Sequence, residues 1–388
     1  MRTFLVLTLS DGILFSFQIS APHNYLWGFF CGVSEITDSE YMALAVQAAQ
    51  KGNGHTWTNP MVGAVIVKQQ HVLAVGYHHR FGEAHAEIDA LNQLASSADA
   101  RGATMYVTLE PCSHFGKTPP CAKRLVSVGL RRVVIGQIDP NPLVAGKGIA
   151  ILRTAGIAVE ILATTQGLNP AYNFFYQHQR PQVTLKYAMS LDGKINAAQK
   201  ARSYLTGPEA YRDSQQLRAT HQAVMVGEHT ALVDDPQLTV REVPIDWPPI
   251  RVVLLHDAAE LPADAKLFEQ QTPVWLLAAT DSRHQWPDFV QVFVGEWSPA
   301  AVMALLQQQG IQSLLIEGGS RIHADYLAAG FADHMIVYVA PIILGGQGLP
   351  AIWSDQGKAG TYRLVNQTKL GLDTRFELRR TSDVYRHY

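Results

Sequence analysis

The chain has 388 residues, a formal net charge of −2 and 16% charged residues. That length exceeds what one ordinary core serves, so two domains are expected, and the charge balance argues against non-specific binding to nucleic acid or membrane. Three cysteines, Cys31, Cys112 and Cys121, are too few and odd in number for a disulfide framework, which fits a reducing cytoplasm.

Residues 1–36 carry apolar pieces at 4–9, 13–17 and 25–31, broken by Asp11, Gln18, Pro22, His23 and Asn24. None reaches the ~18 apolar residues of a membrane span. Arg2 with the run behind it, and Ile19-Ser20-Ala21, imitate an export signal. Thiol-dependent chemistry further on argues against export, so the segment reads as a leader unrelated to the rest.

From Thr37 the pattern becomes regular. Thr37 or Asp38 can cap a helix with Glu40 completing a capping box, and Met42, Leu44, Ala45, Val46, Ala48 and Ala49 give that helix an apolar face up to Gly52. Strands are expected at 62–68 and 72–78 around a tight turn. Helix 84–95, strand 104–109, helix 119–128, strand 132–136, helix 146–155 and strand 157–162 follow. This alternation predicts a three-layer α/β domain over 37–169 with a substantially parallel sheet. Residues 170–181, polar and aromatic and ending in Pro181, read as a linker. Over 182–388 the pattern is again α/β. Strands are expected at 183–188, 222–227, 251–255, 274–278, 313–316 and 335–340, with helices at 208–219, 299–309 and 321–329.

The chemistry concentrates between His85 and Cys121. His85-Ala86-Glu87 is followed by Pro111-Cys112-Ser113-His114-Phe115-Gly116-Lys117-Thr118-Pro119-Pro120-Cys121. One imidazole and two thiolates hold Zn²⁺ on three sides and leave a fourth position open, the arrangement of a catalytic rather than a structural site. Such a metal lowers the pKa of a bound water from ~15.7 to about 7. Glu87 is the candidate proton carrier, in the pattern of zinc deaminases acting on nucleobases. Helical geometry at i and i+2 sends the two side chains to different faces, keeping the carboxylate off the metal. A structural zinc with His114 as fourth ligand is the contrasting reading. Asn59, in Asn59-Pro60-Met61-Val62-Gly63-Ala64, is a candidate for holding a ring edge, and Lys117 a candidate for a substrate phosphate.

These phrases resemble the bacterial bifunctional riboflavin-biosynthesis enzymes, a pyrimidine deaminase fused to a pyrimidine reductase, over about 38–375. Further matching pieces are Gly76-Tyr77-His78, Thr108-Leu109-Glu110-Pro111-Cys112, Asp139-Pro140-Asn141-Pro142 and Val144-Ala145-Gly146-Lys147-Gly148. The long insert between the cysteines separates this family from deaminases that place two residues there. The resemblance implies a cytidine-deaminase-like domain followed by a dihydrofolate-reductase-like one. It implies hydrolytic deamination of 2,5-diamino-6-ribosylamino-4(3H)-pyrimidinone 5′-phosphate, then NADPH-dependent reduction of the ribosyl group to ribityl.

In the second half, Thr184 to Ile195 resembles the reductase's opening strand and loop. The resemblance implies that Lys186, Ala188, Tyr204, Thr230 and Asp234 line the cofactor. Gly319, Ser320, Arg321, Ile322, His323, Ala324 and Asp325 then form its phosphate loop, where two glycines before a helix let backbone amides approach an anion. Arg218, Leu238, Arg241 and Glu317 are the implied substrate contacts, with forked guanidinium donors suited to a phosphate. Arg202 stands where the family has a small hydroxyl residue, and either adds a phosphate contact or crowds the pocket. That departure motivates an alternative, a deaminase with an inactive reductase domain. Partners are expected to be phosphorylated pyrimidines, with no nucleic acid and no membrane; a homo-oligomer is compatible with the sequence.

Overall fold

The computed structural model describes residues 4–8, 14–18, 36–113, 120–197, 203–283, 285–353 and 360–381. Two compact units divide at Ile36. In the first, β1 (Phe4–Thr8) pairs antiparallel with β2 (Leu14–Gln18). The remainder of that segment, with Cys31, lies outside the described residues, as do His114, Lys117 and Arg202.

The second unit holds two sheets. The first is built from α1 (Asp38–Gln50), β3 (Gly63–Lys68), β4 (His71–Tyr77), α2 (Ala86–Asn92), β5 (Thr104–Val107), α3 (Cys121–Val128), β6 (Arg132–Ile135), α4 (Lys147–Thr154) and β7 (Ala158–Ile161). Its strand order is β4-β3-β5-β6-β7. The β5-β6-β7 part is parallel, while β3 runs antiparallel to both neighbours, because a two-residue turn joins it directly to β4. The expected capping box starts α1: the Thr37 hydroxyl accepts from the Glu40 amide, and the Glu40 carboxylate accepts from the Thr37 amide at 2.7 Å. A buried cluster including Ala64, Ile66, Met105, Leu125, Val133 and Ile135 forms the core.

Close backbone approaches fix the two segments that carry the expected chemistry. A Cβ at Gly76 would lie 2.3 Å from the Ala90 amide, so only glycine lets β4 meet α2. A Cβ at Gly148 would lie 2.0 Å from the Pro111 carbonyl, so α4 abuts the residue before Cys112. The buried Glu110 carboxylate locks that junction, accepting from the amides of Gly146 (2.9 Å), Gly148 (2.9 Å) and Ile149 (3.2 Å).

The segment expected as a linker begins with α5 (Pro170–His178). Pro170 suits the first helical turn. Tyr172 and Asn173 are buried against the first sheet: the Tyr172 hydroxyl donates to Asp139 (2.9 Å), and Asn173 exchanges hydrogen bonds with Gln137.

The second half contains β8 (Gln182–Ser190), α6 (Pro208–Ala219), β9 (Ala223–Gly227), α7 (Glu228–Asp234), β10 (Ile250–Asp257), β11 (Val274–Thr280), β12 (Val290–Val294), α8 (Pro299–Gln308), β13 (Ser313–Ile316), α9 (Ser320–Ala328), β14 (His334–Ala340), β15 (Tyr362–Leu370) and β16 (Asp373–Arg380). The order is β12-β11-β10-β9-β13-β8-β14-β16-β15, parallel from β12 to β14 and antiparallel beyond. Apolar clusters cover both faces. Four elements of this half went unpredicted: short α7, the five-residue edge strand β12, and strands β15 and β16, whose polar-rich sequences lack the apolar run of a central strand.

The halves touch through the 55–58 loop. Trp57 and Thr58 offer their carbonyls to Gln222 (2.8 Å) and Gln312 (2.9 Å), which directly precede β9 and β13. His55 and Arg80 both bond Asp246, at 2.7 and 2.9 Å. The opposite ends of β9 and β13 lead into Gly227 and Glu317.

Candidate active site

His85 caps α2 with extended dihedrals (φ −70°, ψ 161°). It therefore stands outside the helix proper, and both it and Glu87 reach one cavity, in place of the separate faces expected from helical spacing. Its Nδ1 lies 3.6 Å from Cys112 Sγ and 3.3 Å from Cys121 Sγ. Around tetrahedral zinc, bond lengths near 2.0 and 2.3 Å separate nitrogen from sulfur by about 3.5 Å, so the donor set fits one ion. Among the described residues this is the one group of three such donors within 4.8 Å of each other. Cys121 opens α3, and its amide donates to Cys112 Sγ at 3.3 Å.

Without metal, hydrogen bonding shares protons inside this cluster. The Cys121 contact, with help from His85, lowers Cys112 to about 4, while the bond to Cys112 raises His85 to about 9. Cys121 keeps its proton, pushed up by the same thiolate and by burial. A divalent cation would displace these protons. Glu87 is 3% exposed and touches Cys121; burial lifts its carboxyl to about 6. That value suits a group which must both take and return a proton near neutrality.

The cavity measures about 430 Å³. Asn59 lies on its wall, its Nδ2 3.1 Å from His78 Nε2. His78 Nδ1 donates to the Ala84 carbonyl at 3.0 Å, so Nε2 is the accepting nitrogen, and burial keeps the ring neutral. The Asn59 side-chain amide must then donate to His78, which commits Nδ2 and leaves Oδ1 as the group's acceptor. Sequence reasoning assigned no role to His78, Asp139, Asn141, Tyr172 or Phe175, all on the same wall. The runs Gly76-Tyr77-His78 and Asp139-Pro140-Asn141 held the signal for three of them.

A second cluster lies beyond the C-terminal ends of the central strands of the larger sheet. Arg218 forks onto Glu317, Nε to Oε1 at 2.8 Å and Nη2 to Oε2 at 2.6 Å, and donates to the Thr239 carbonyl at 2.8 Å. Two expected substrate contacts thus face each other across a buried ion pair. Burial lowers the pKa of the Lys186 ammonium, with Glu317 opposing that effect, and its Nζ lies 5.4 Å from the Tyr338 ring centre. Burial would raise Glu317, but Arg218 and then Lys186 win and bring it to about 2. A carboxyl depressed in the fold stabilises it fully above the unfolded value of 4.5, and that stability is lost as pH falls towards 2. Melting temperature should therefore drop over this window, with a shallower drop in Glu317→Gln; equal slopes would remove this pair from the acid response.

The remaining expected residues spread around this cluster. A Cβ at Gly318 would lie 2.7 Å from Thr230, so that loop packs directly on α7. Gly319 takes φ 94°, and α9 starts after it with amides that no earlier helical carbonyl can accept from. Ser320 donates to the Pro350 carbonyl at 2.7 Å, Arg321 lies over Trp353, and Ile322, His323 and Ala324 are buried. The loop therefore offers an anion its backbone amides and the exposed Arg321, while Asp325, also exposed, adds a negative charge one turn further on. Leu238 has φ 55° and its side chain is buried in the core rather than presented as a contact. Ala188 is half-buried on β8, Asp234 ends α7, Tyr204 is 83% exposed, and Arg241 is exposed and bonds Gln237 at 3.1 Å.

Comparison with known proteins decides the family. Residues 35–137 match the cytidine and deoxycytidylate deaminase zinc-binding region, and 181–376 match the RibD C-terminal domain. The riboflavin biosynthesis protein RibD of Bacillus amyloliquefaciens is 40% identical over 329 residues, 82% of this chain and 88% of that protein. The chain belongs to the RibD family.

Solved RibD structures agree. Acinetobacter baumannii RibD superposes with a TM-score of 0.82 at 36% identity, covering 89% of this chain and 99% of that one. A diaminohydroxyphosphoribosylaminopyrimidine deaminase/5-amino-6-(5-phosphoribosylamino)uracil reductase from Thermotoga maritima gives 0.80 at 32% identity, with the same coverage. As a RibD-family protein the chain is a bifunctional enzyme of riboflavin biosynthesis. A cytidine-deaminase-like domain precedes a dihydrofolate-reductase-like one, as the sequence led one to expect. Nothing in these matches favours a deaminase acting alone. Among the described residues no helix is long and apolar enough to cross a membrane.

Proposed function

We propose that residues 37–169 hydrolytically deaminate 2,5-diamino-6-ribosylamino-4(3H)-pyrimidinone 5′-phosphate, and that residues 182–388 reduce the ribosyl group of the product to ribityl with NADPH, residues 170–181 joining them. The observation that carries this reading is the meeting of His85 Nδ1 and two cysteine sulfurs beside a buried glutamate in a cavity of about 430 Å³, roomy enough for a pyrimidine carrying a sugar phosphate. The pair of activities that names the Thermotoga relative supports the substrate.

In the first half His85, Cys112 and Cys121 hold zinc. Zinc, when bound, supplies Lewis acidity and a water nucleophile at neutral pH. Glu87 takes one proton of the water and delivers it to a ring nitrogen as the oxygen adds to the amine-bearing carbon; it then takes the second proton from the newly added hydroxyl and passes it to the amine, which leaves as ammonia as the C–N bond breaks and the C=O forms. Asn59 Oδ1 accepts from the ring edge, and Lys117 meets the phosphate. In the second half the amides at Gly319 and Ser320, with Arg321, hold the cofactor phosphate end, Asp325 accepts from a cofactor hydroxyl, and Lys186, Ala188, Tyr204, Thr230 and Asp234 line the rest. NADPH, when bound, supplies hydride to the sugar C1′. Arg241, with Arg202, grips the substrate phosphate; the Arg218–Glu317 pair and the Leu238 backbone shape the sugar site. Two thiolate ligands favour a reducing cytoplasm, and the partners are phosphorylated pyrimidines rather than nucleic acid or membrane.

Purified protein given the diaminopyrimidine phosphate should release ammonia without NADPH and oxidise NADPH only after deamination. Chelation should abolish ammonia release while NADPH oxidation on the deaminated compound continues, and added zinc should restore the first activity. Chelation that leaves ammonia release intact overturns the zinc assignment.

A further inference from the structure

The wall of the deamination cavity is not made by the deaminase half alone. Gln309, Gly310 and Gln312, from the turn between α8 and β13 in the reductase half, face the same space as His85 and Glu87. Gly310 reverses the chain there with φ 73°.

The contact is also strained. Trp57 holds φ 52°, a left-handed conformation that a bulky side chain resists and that persists only where its surroundings over-determine it. Those surroundings come from the other half. Gln222 Nε2 donates to the Trp57 carbonyl at 2.8 Å, and Gln312 Nε2 donates to the Thr58 carbonyl at 2.9 Å. The glutamines brace each other, the Gln312 amide donating to Gln222 Oε1 at 2.7 Å. Trp247 stacks near the Trp57 ring at 5.7 Å and donates to the His55 carbonyl at 3.1 Å. Asn59 is the next residue along this clamped backbone, and its amide is what the cavity presents beside His78.

We propose that the reductase half completes the deamination site: Gln222 and Gln312 are positioning residues that clamp Trp57–Thr58 and so aim Asn59 at the substrate ring, while Gln309 and Gly310 close the cavity. This inference rests on the deaminase reading above. It locates ring recognition in a segment held from both halves, His78 bonding the Asn59 side chain and the two glutamines the carbonyls before it, and it leaves His85, Cys112, Cys121 and Glu87 in place when the clamp is removed.

The test uses the zinc-loaded full chain carrying Gln312→Met or Gln222→Met, which keep length and bulk but donate nothing. With the diaminopyrimidine phosphate, KM for ammonia release should rise about tenfold while kcat changes less than about threefold, since the loosened group binds the ring rather than moving protons. Zinc content should stay at the wild-type level, and NADPH oxidation on the deaminated compound should stay within about twofold of it. An unchanged KM overturns the proposal. So does a joint fall of both activities with zinc content and melting temperature, which would make the glutamines merely structural. Each variant decides independently, so misfolding of one leaves the other informative. Absence of ammonia release from the wild-type protein would instead count against the deaminase reading itself.

Discussion

Glu87→Gln should slow ammonia release by about a thousandfold while leaving zinc content and the reductase activity as they were. The substitution keeps the shape of the side chain in a site where burial has lifted the carboxyl to about 6. An amide cannot take a proton from water and hand it on, so catalysis loses its relay while the three metal donors, contributed by His85, Cys112 and Cys121, are untouched. Glu87 lies on α2 next to Ala86 and Ala90, both fully buried, so the helix should hold its place against β4 through Gly76. Elemental analysis and an ammonia assay on one preparation separate the possibilities. Near-normal release removes Glu87 from proton transfer, and loss of zinc makes it a ligand or a support for one.

The second large effect belongs to Arg218. Arg218→Ala should cost about 3–5 kcal/mol of stability, because it strands the Glu317 carboxylate in a buried place beside one ammonium instead of a fork. The pair's three hydrogen bonds, at 2.8, 2.6 and 2.8 Å, tie α6 to the end of β13 and to the Thr239 carbonyl. Reduction should be lost with it, and ammonia release should persist at temperatures below the new melting point. The double variant Arg218→Met/Glu317→Leu separates stability from chemistry: apolar side chains of similar size replace the pair, so melting should recover part of the loss, the buried Lys186 having lost its counter-charge, while reduction stays absent. Calorimetry of the three proteins checks this. A single variant that melts with the wild type would mean the pair is not the buried support described above.

Much of this was legible in the chain because the relevant signals are local. Pro208 at the start and the period of the apolar residues placed α6 at its observed bounds. Thr37 and Glu40 announced α1. The metal donors were readable from residue type and order. What stayed hidden depends on pairing across distance. Arg218 and Glu317, 99 residues apart, looked like separate ligand contacts and instead neutralise each other. His85 and Glu87 converge because the histidine is a cap rather than a helical residue, which spacing does not reveal. Residues 170–181 read as a linker from their polar and aromatic composition and the closing Pro181, yet Tyr172 and Asn173 find the buried partners Asp139 and Gln137, which anchor a helix there. Leu238 was read as a contact from its neighbours, and its positive φ sends the side chain inward.

The parallel strands of the larger sheet give the molecule a polarity. Gln312 stands before β13 at the first cavity, and Glu317 follows the same strand at the second cluster. Five residues of extended chain span roughly 16 Å, with packed apolar layers on either side. The deamination cavity and the Arg218–Glu317 cluster therefore stand at opposite ends of one strand, so a single four-residue element sets the spacing between the two chemistries.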